Sequence, residues 1–238
     1  MIITIDGPVA SGKSSVARAL AKELKLYFLA TGMLYRTIAY ALINDRRYTK
    51  KDLEHPKEDD LLAVLDPKRF QYFYCPHKGA QIFFDSKDIT PFLKTSDMDQ
   101  AASILSADAL VREVLLSWQR SFGKTFNLIA EGRDVGSVVF PDAEYKFFLT
   151  ASVQVRAKRW QADQRQKLVL NGVEGNNNFS LQEAMEKITE RDQRDRNRTM
   201  APLIKPSGAI VIDNSELDFQ QTLQRFIEVI EVSSISHR

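Results

Sequence analysis

The sequence is poor in cysteine and histidine, has no long apolar run, and carries little net charge. Its single cysteine, Cys75, excludes any intramolecular disulfide and suits a reducing compartment. The three histidines, His55, His77 and His237, fall in loops or the tail and read as incidental. No apolar stretch approaches the length of a membrane span. The start lacks a charged lead followed by an apolar stretch and a cleavage site, so a cytoplasmic protein is expected. With 33 Lys and Arg against 31 Asp and Glu, the net charge is +2, which does not suggest wholesale nucleic-acid binding. There is no internal repeat and no low-complexity segment. At 238 residues, 44% of them hydrophobic and 27% charged, the chain suits one large α/β domain with insertions, or two small domains.

What the sequence does have is a phosphate-binding loop, Gly7-Pro8-Val9-Ala10-Ser11-Gly12-Lys13-Ser14, followed by Ser15. The apolar run Ile2-Ile3-Thr4-Ile5 before it reads as a buried strand, and Ser15 to Leu24 reads as a helix. Strand, glycine loop and helix is the context the motif requires. Such a loop turns backbone N–H groups toward phosphates, and the helix N-terminus adds positive partial charge. Lys13 would reach the β and γ phosphates of a nucleotide, and the Ser14 hydroxyl would sit on Mg²⁺. The structural alternative is a glycine-rich turn that binds nothing.

Further along, Leu29 to Arg36 reads as a turn leading into an apolar helix, Thr37 to Ile43. Arg46 to Asp60 reads as a polar connection with a short helix. Phe70–Cys75 and Gln81–Phe84 read as strands around a Pro76-His77-Lys78-Gly79 turn, with Asp88-Ile89-Thr90-Pro91 as a third edge piece. This predicts a small antiparallel insertion over about 66–96, with Cys75 filling part of its core. Ser96 to Ser121 has helical spacing, interrupted near Ser106-Ala107-Asp108. Asn127–Ala130 and Tyr145–Leu149 are buried strands, and Ser152 to Lys167 is a basic helix. Asn171 to Asn178 reads as flexible. Ser180-Leu181-Gln182-Glu183 is a capping box opening a helix toward Arg196. A last strand, Ala209–Asp213, precedes an amphipathic helix from about Leu217 to Glu231. Strands alternating with helices predict an α/β fold: a doubly wound parallel sheet of the P-loop NTPase type, with ligands at the carboxyl ends of the strands. The loops after Ile5, Leu29, Ala130 and Leu149 should converge on one site.

A phosphate loop alone does not separate ATPases, GTPases and kinases. The chain has no Asn-Lys-x-Asp guanine-reading motif. Its candidate strand ends in Glu131-Gly132-Arg133-Asp134 rather than in Asp-Glu. Arginines are plentiful: Arg36, Arg133, and then Arg191, Arg194, Arg196 and Arg198. Arg191, Asp195 and Arg198 are spaced to share one helix face. A surface helix with Glu190–Arg194 and Asp192–Arg196 ion pairs would account for the last group. Beside a phosphate loop, an arginine set that grips phosphates bidentately and neutralises a transferring phosphoryl group is the preferred reading.

Gly-Pro-x-x-Ser-Gly-Lys-Ser, Thr-Gly-x-x-Tyr-Arg, Glu-Gly-Arg-Asp-x-Gly-x-Val-Val-Phe-Pro and Arg-Asp-x-Arg-Asp-Arg-Asn-Arg, in this order, resemble the bacterial-type cytidylate kinases. These are nucleoside monophosphate kinases of the P-loop superfamily. The resemblance spans Ile2 to Asp213. It implies a kinase core over 1–65 and 97–238 with a lid at about 156–180, and a nucleotide-monophosphate-binding insertion over 66–96. It implies transfer of the ATP γ-phosphoryl group to CMP or dCMP. Ser103 and Arg112 would then read the cytosine edge, with Asp134 accepting from its amino group. Arg191 and Asp195 would hold the sugar hydroxyls. Thr31, Arg36, Arg133 and Arg198 would bind the acceptor phosphate, and Tyr35 would pack near the nucleotide. Lys13, Arg133, Arg191 and Arg198 would be the catalytic set. Arg156 and Arg159 fall in the lid region, with Arg159 against ATP. Ala30, Glu131 and Lys94 stand where the family often has Asp, Asp and Arg, and Thr31 keeps the hydroxyl of a common Ser. An acceptor phosphate is already anionic, so no histidine base is needed. The alternatives are a kinase for UMP or AMP, and a nucleotide-binding module without transfer activity. A monomer with no nucleic-acid or membrane partner is expected.

Overall fold

A computed structural model describes residues 1–170 and 179–235, with side chains to 167 and from 179 to 232. The expected flexible segment 171–178, the matching part of the lid, and His237 lie outside the described residues. In chain order the elements are β1 (Ile2–Asp6), α1 (Lys13–Glu23), β2 (Tyr27–Ala30), α2 (Thr31–Asp45), α3 (Glu58–Val64), β3 (Phe70–Cys75), β4 (Gly79–Phe84), β5 (Lys87–Asp88), α4 (Ser96–Leu105) and α5 (Ala109–Thr125). Then come β6 (Leu128–Gly132), β7 (Tyr145–Thr150), α6 (Val153–Leu170), α7 (Leu181–Asn197), β8 (Ile210–Asp213) and α8 (Phe219–Ile235).

Residues 3 to 6 of β1 are all buried, as in a sheet covered by helices on both faces. The five-stranded sheet has the order β2-β6-β1-β7-β8. β1 runs parallel to β6 and β7, with Asp6 opposite both Gly132 and Phe148, and β7 runs parallel to β8. A second, antiparallel sheet has the order β3-β4-β5. This is the α/β class expected, with its small antiparallel addition.

The chain forms two compact units, Met1–Phe28 with Phe126–Arg238, and Leu29–Thr125. In the first, α1 packs on β6 and α8, and the Phe147 and Phe226 rings meet at 4.6 Å. The loop residue Val9 is buried among Ala157 of α6 and Ala184 and Ile188 of α7, with Trp160 and Met185 packed around them. The capping box at Ser180 is present: its hydroxyl accepts from the Glu183 N–H, and the Glu183 carboxylate accepts from the Ser180 N–H.

In the second unit, the inner face of the small sheet buries Phe70, Tyr72, Ile82 and Phe84. Trp118 of α5 stacks on Phe70 at 4.8 Å and meets Phe122 at 4.6 Å. Arg69 clamps the hairpin to the end of α2. It donates to Asp85 at 2.7 Å and to Asp45 at 2.6 Å, with its guanidinium 4.5 Å from the Phe84 ring centre.

Several sequence expectations change. Leu29–Arg36 is not a turn, because β2 ends at Ala30 and α2 starts at Thr31. Ala30 is extended and caps that helix, so the Thr31-Gly32 pair forms a first helical turn. The third edge strand is only Lys87–Asp88, and Thr90–Lys94 is a 3-10 turn whose start carries Pro91. A proline lacks the N–H a ladder needs but suits the first turn of a helix. Cys75 does not fill a core. It lies half-exposed at the hairpin turn, where the backbone N–H groups of Lys78 and His77 pull its thiol below the ordinary range. After β6, Val135–Val139 forms a single wide π-type turn that the valine-rich sequence does not signal. Among the described residues, no helix is long and apolar enough to cross a membrane.

Candidate active site

The loop Gly7–Ser14 joins β1 to α1 in the first unit. Gly7 has φ +154°, and a Cβ placed on it would lie 2.0 Å from the Leu149 carbonyl oxygen at the end of β7. Only glycine lets the loop pass that close to the neighbouring strand. The Lys13 side chain is 5% exposed and folds back on the loop, donating to the Pro8 carbonyl at 2.8 Å. Burial, and then the positive charge of Arg133, bring its ammonium down to about 7, against the pull of Glu131, Asp192 and Asp195. An incoming polyphosphate would reverse that cost. Ser14 and Ser15 are exposed at the first turn of α1.

Carboxylates from β6 and α7 organise what surrounds the loop. The Ser14 hydroxyl donates to Glu131 Oε1 at 2.9 Å. Asp192 accepts the Val9 N–H at 3.0 Å on one oxygen and Arg156 Nη1 at 2.5 Å on the other. Arg156 also donates to the Ala151 and Val9 carbonyls, so this buried residue ties α6 to the loop and to α7. Asp192 thus pairs with the buried Arg156, and not with Arg196 as the surface-helix alternative had it. Asp192 continues the buried stripe Ala184, Ile188, Asp192, Asp195, whereas Arg196 is exposed.

One turn on, Asp195 receives Arg133 Nε at 2.8 Å, and Arg198 Nη1 lies 3.8 Å from its other oxygen. Burial raises the Asp195 carboxyl, but Arg133, Arg198 and Arg191 outweigh it and hold the group below the ordinary range. Burial likewise works against the Arg133 charge, and Asp195, Glu131 and Asp192 overcome it. Arg198 does not share the helix face, because α7 ends at Asn197 and Arg198 is its extended C-cap. Its guanidinium turns back to the Ala201 carbonyl at 2.9 Å and toward Asp195. Arg159 donates to the Asn214 side chain at 2.9 Å and the Asn214 carbonyl at 3.1 Å, while Asn214 Nδ2 holds the Ser11 carbonyl at 3.1 Å. Asp134, buried, begins the wide turn and accepts the Val138 N–H through its carbonyl.

The second unit holds the remaining expected residues. Arg112 of α5 is buried, donates through Nε to the Ser106 carbonyl at 2.6 Å, and lies with its guanidinium 5.6 Å from the Tyr35 ring centre. Ser103 is half-buried on α4, and its carbonyl accepts the Ser106 hydroxyl. Thr31 is buried at the start of α2. Arg36, one turn along, places Nε and Nη2 on a single Asp99 oxygen at 2.8 and 2.5 Å. His55 is 91% exposed and lies 3.6 Å from Asp108.

The sequence model of one family, described as cytidylate kinase, matches residues 3–232. The chain belongs to the cytidylate kinase family. The cytidylate kinase of Methylococcus capsulatus is 38% identical over 230 residues, covering 97% of this chain and 96% of that protein. The bifunctional pantoate ligase/cytidylate kinase of Prochlorococcus marinus is 35% identical over 228 residues, which are 96% of this chain and 42% of that longer protein. A solved structure of an uncharacterized protein from Eubacterium ventriosum superposes with a TM-score of 0.51 at 12% identity, covering 98% of each chain. That likeness shows the fold alone.

For a cytidylate kinase family member, the structure brings Lys13, Ser14, Arg133, Asp195 and Arg198 into one neighbourhood of the first unit. It gathers Tyr35, Ser103 and Arg112 in the second. Sequence reading missed Asp6, Asp192, Asn214 and Asp99 as supports. Asp192 was findable from the helical stripe it completes, and Asn214 from its place just past the last strand. Asp99 has no such signal, since its partner lies 63 residues away. Among the described residues no group of three or more His, Cys, Asp and Glu is arranged to hold a metal. An exposed serine hydroxyl with a carboxylate behind it nevertheless suits Mg²⁺, which keeps several waters and takes its other ligands from substrate phosphates.

Proposed function

We propose that the chain carries out its family's reaction, transferring the γ-phosphoryl group of ATP to CMP or dCMP to give ADP and CDP or dCDP. A non-bridging oxygen of the acceptor phosphate attacks the γ-phosphorus as the bond to the β,γ-bridging oxygen breaks. The attacking oxygen is already an anion, so the protein's task is alignment and charge neutralisation. The observation that carries this reading is the Arg133–Asp195–Arg198 cluster in the same unit as Lys13 and the Ser14–Glu131 pair.

Gly7 to Ser15 cradle the phosphates, and Lys13 reaches the β and γ groups once its ammonium is restored. Ser14, backed by Glu131, would hold Mg²⁺, which would neutralise part of the phosphate charge. Arg133 and Arg198 bind the acceptor phosphate with Thr31 and Arg36, and Arg191 and Asp195 meet the sugar hydroxyls. Asp195 has lone pairs left for a hydroxyl after receiving two arginines. Arg112 and Ser103 donate to the cytosine acceptors and Asp134 takes its amino hydrogens. Uracil reverses that pattern at N3 and position 4, leaving buried groups unpaired. We assign 66–96 as the acceptor-nucleotide insertion and Arg159, in the described part of the expected lid, as an ATP contact. A monomer is proposed because no long exposed apolar helix stands out in the sequence, and a cytoplasmic enzyme because the single cysteine suits a reducing compartment.

Arg198→Ala and Arg133→Ala test this. Each is expected to lower kcat about 10³-fold, the scale for losing a charge that stabilises transferring phosphoryl oxygens. ATP affinity should stay near that of the parent. Retained CMP-dependent ADP release in both variants would contradict the assignment.

A further inference from the structure

Asp6 lies at the end of β1, immediately before the loop, and is fully buried. Its carboxylate makes no bond to the loop that follows. Oδ1 accepts the Val135 N–H at 2.8 Å and Oδ2 accepts the Gly136 N–H at 2.7 Å. These are the two amides directly after Arg133 and Asp134, and they open the wide turn. Amides at the start of a helical turn have no partner within it, so an external acceptor decides where the turn begins. On the other side, the β1–β6 ladder fixes Gly132 opposite Asp6 itself. The dipeptide Arg133-Asp134 is thus held between two anchors, both on one residue of β1.

Gly136 completes the arrangement. A Cβ there would lie 2.6 Å from Thr4 Oγ1 and 3.1 Å from Asp6 Oδ2. The turn therefore comes as near to Asp6 as backbone can. Burial pushes the Asp6 carboxyl up to about 7 despite both amides and Lys13, with Asp134 acting in the same direction as burial. Keeping a carboxylate at such depth is costly, and a neutral residue would suffice if filling space were the only need.

We propose that Asp6 is a positioning residue for acceptor recognition: by holding the Val135 and Gly136 amides, it sets where Arg133 and Asp134 present their side chains. The inference rests on the reading of Arg133 and Asp134 as acceptor-binding groups. It goes beyond that reading by naming a residue that touches no substrate.

The test is steady-state kinetics with CMP and ATP varied separately, on the parent chain, Asp6→Asn and Gly136→Ala. Asparagine keeps one acceptor oxygen and turns an NH₂ toward the second amide. The alanine retains the carboxylate, but its Cβ would meet Thr4 Oγ1 at 2.6 Å and Asp6 Oδ2 at 3.1 Å, so the turn must shift away from β1. The expected result in either folded variant is a CMP KM raised about tenfold or more, with the ATP KM changed less than about threefold; a tenfold change is one decade of affinity. Thermal unfolding serves as the fold check, and if Asp6→Asn fails to fold, Gly136→Ala decides. Equal loss for both substrates would assign Asp6 a merely structural role, and no change in either would overturn the proposal outright. A parent chain that releases no ADP on adding CMP would overturn the reading of the site and this proposal with it. That failure shows in the parent and not in the variants, so the two are distinguishable.

Discussion

In the unit of the phosphate loop, the charged site residues are fastened by side chains of that same unit. Arg156 lies on Asp192, Arg133 on Asp195, and Arg159 on Asn214. In the unit Leu29–Thr125, Arg112 donates to a backbone carbonyl and lies beside an aromatic ring, while Arg36 meets a carboxylate, Asp99. The first arrangement stores charge in a buried, mutually dependent network. The second sets its guanidinium against a backbone carbonyl and a ring. Buried networks fail together when one member is removed. Transfer chemistry needs rigid charge, while base recognition needs a matched edge, and the roles proposed for Arg133 and Arg198 and for Arg112 follow that division.

The largest effect should come from breaking the buried network. Asp192→Ala leaves the Arg156 charge and the Val9 N–H without their carboxylate, so stability is expected to fall by about 3–5 kcal/mol. Denaturant unfolding measures it. Replacing both partners, Asp192→Leu with Arg156→Met, should cost clearly less than Asp192→Ala, because no charge is left behind. A double replacement as damaging as the single one would remove the network's claimed character.

Arg112→Lys probes the other side. It keeps the charge but loses the flat fork and the Nε–H donated to Ser106. The expected outcome is a CMP KM raised roughly tenfold, within the range for a lost specific contact, with the unfolding midpoint nearly unchanged. An unfolding loss comparable to that of Asp192→Ala would erase the distinction between the units.

The smallest effect is a pH dependence. The Lys13 ammonium is brought down to about 7, from 10.5, in the free protein. Between those values the folded chain binds fewer protons than the unfolded one, so this group's contribution to stability rises with pH across that window and its cost is complete below it. ATP restores the charge, so above pH 7 binding takes up a proton and affinity falls as pH rises, by at most about tenfold per unit. Calorimetry at pH 8 in two buffers of different ionisation enthalpy should detect the uptake, and Lys13→Arg should abolish it.

What could be read in the sequence was local. The loop, its strand and its helix occupy neighbouring residues, and the capping box at Ser180 spans four. The antiparallel pair carries its own turn residues, and the expected strands matched β3 and most of β4. Contacts such as Ser14 with Glu131, or Asp6 with Val135 and Gly136, join residues more than a hundred positions apart and leave no periodic trace. Thr31-Gly32 misled because a Thr-Gly pair favours a turn when read alone, whereas the preceding buried strand hands the chain directly to α2. The surface-helix alternative fails at Asp192 because ion pairing at i, i+4 is a surface rule, and this residue lies on the buried stripe.

Acceptor choice separates the proposed reaction from its alternatives. ADP release from Mg-ATP, measured with CMP, dCMP, UMP, AMP and no acceptor at equal concentrations, examines it in one experiment. Strong release with CMP and dCMP alone is the expected result. Comparable release with UMP or AMP would overturn the assignment of Ser103, Arg112 and Asp134, and release independent of any acceptor would contradict phosphoryl transfer to a nucleotide altogether.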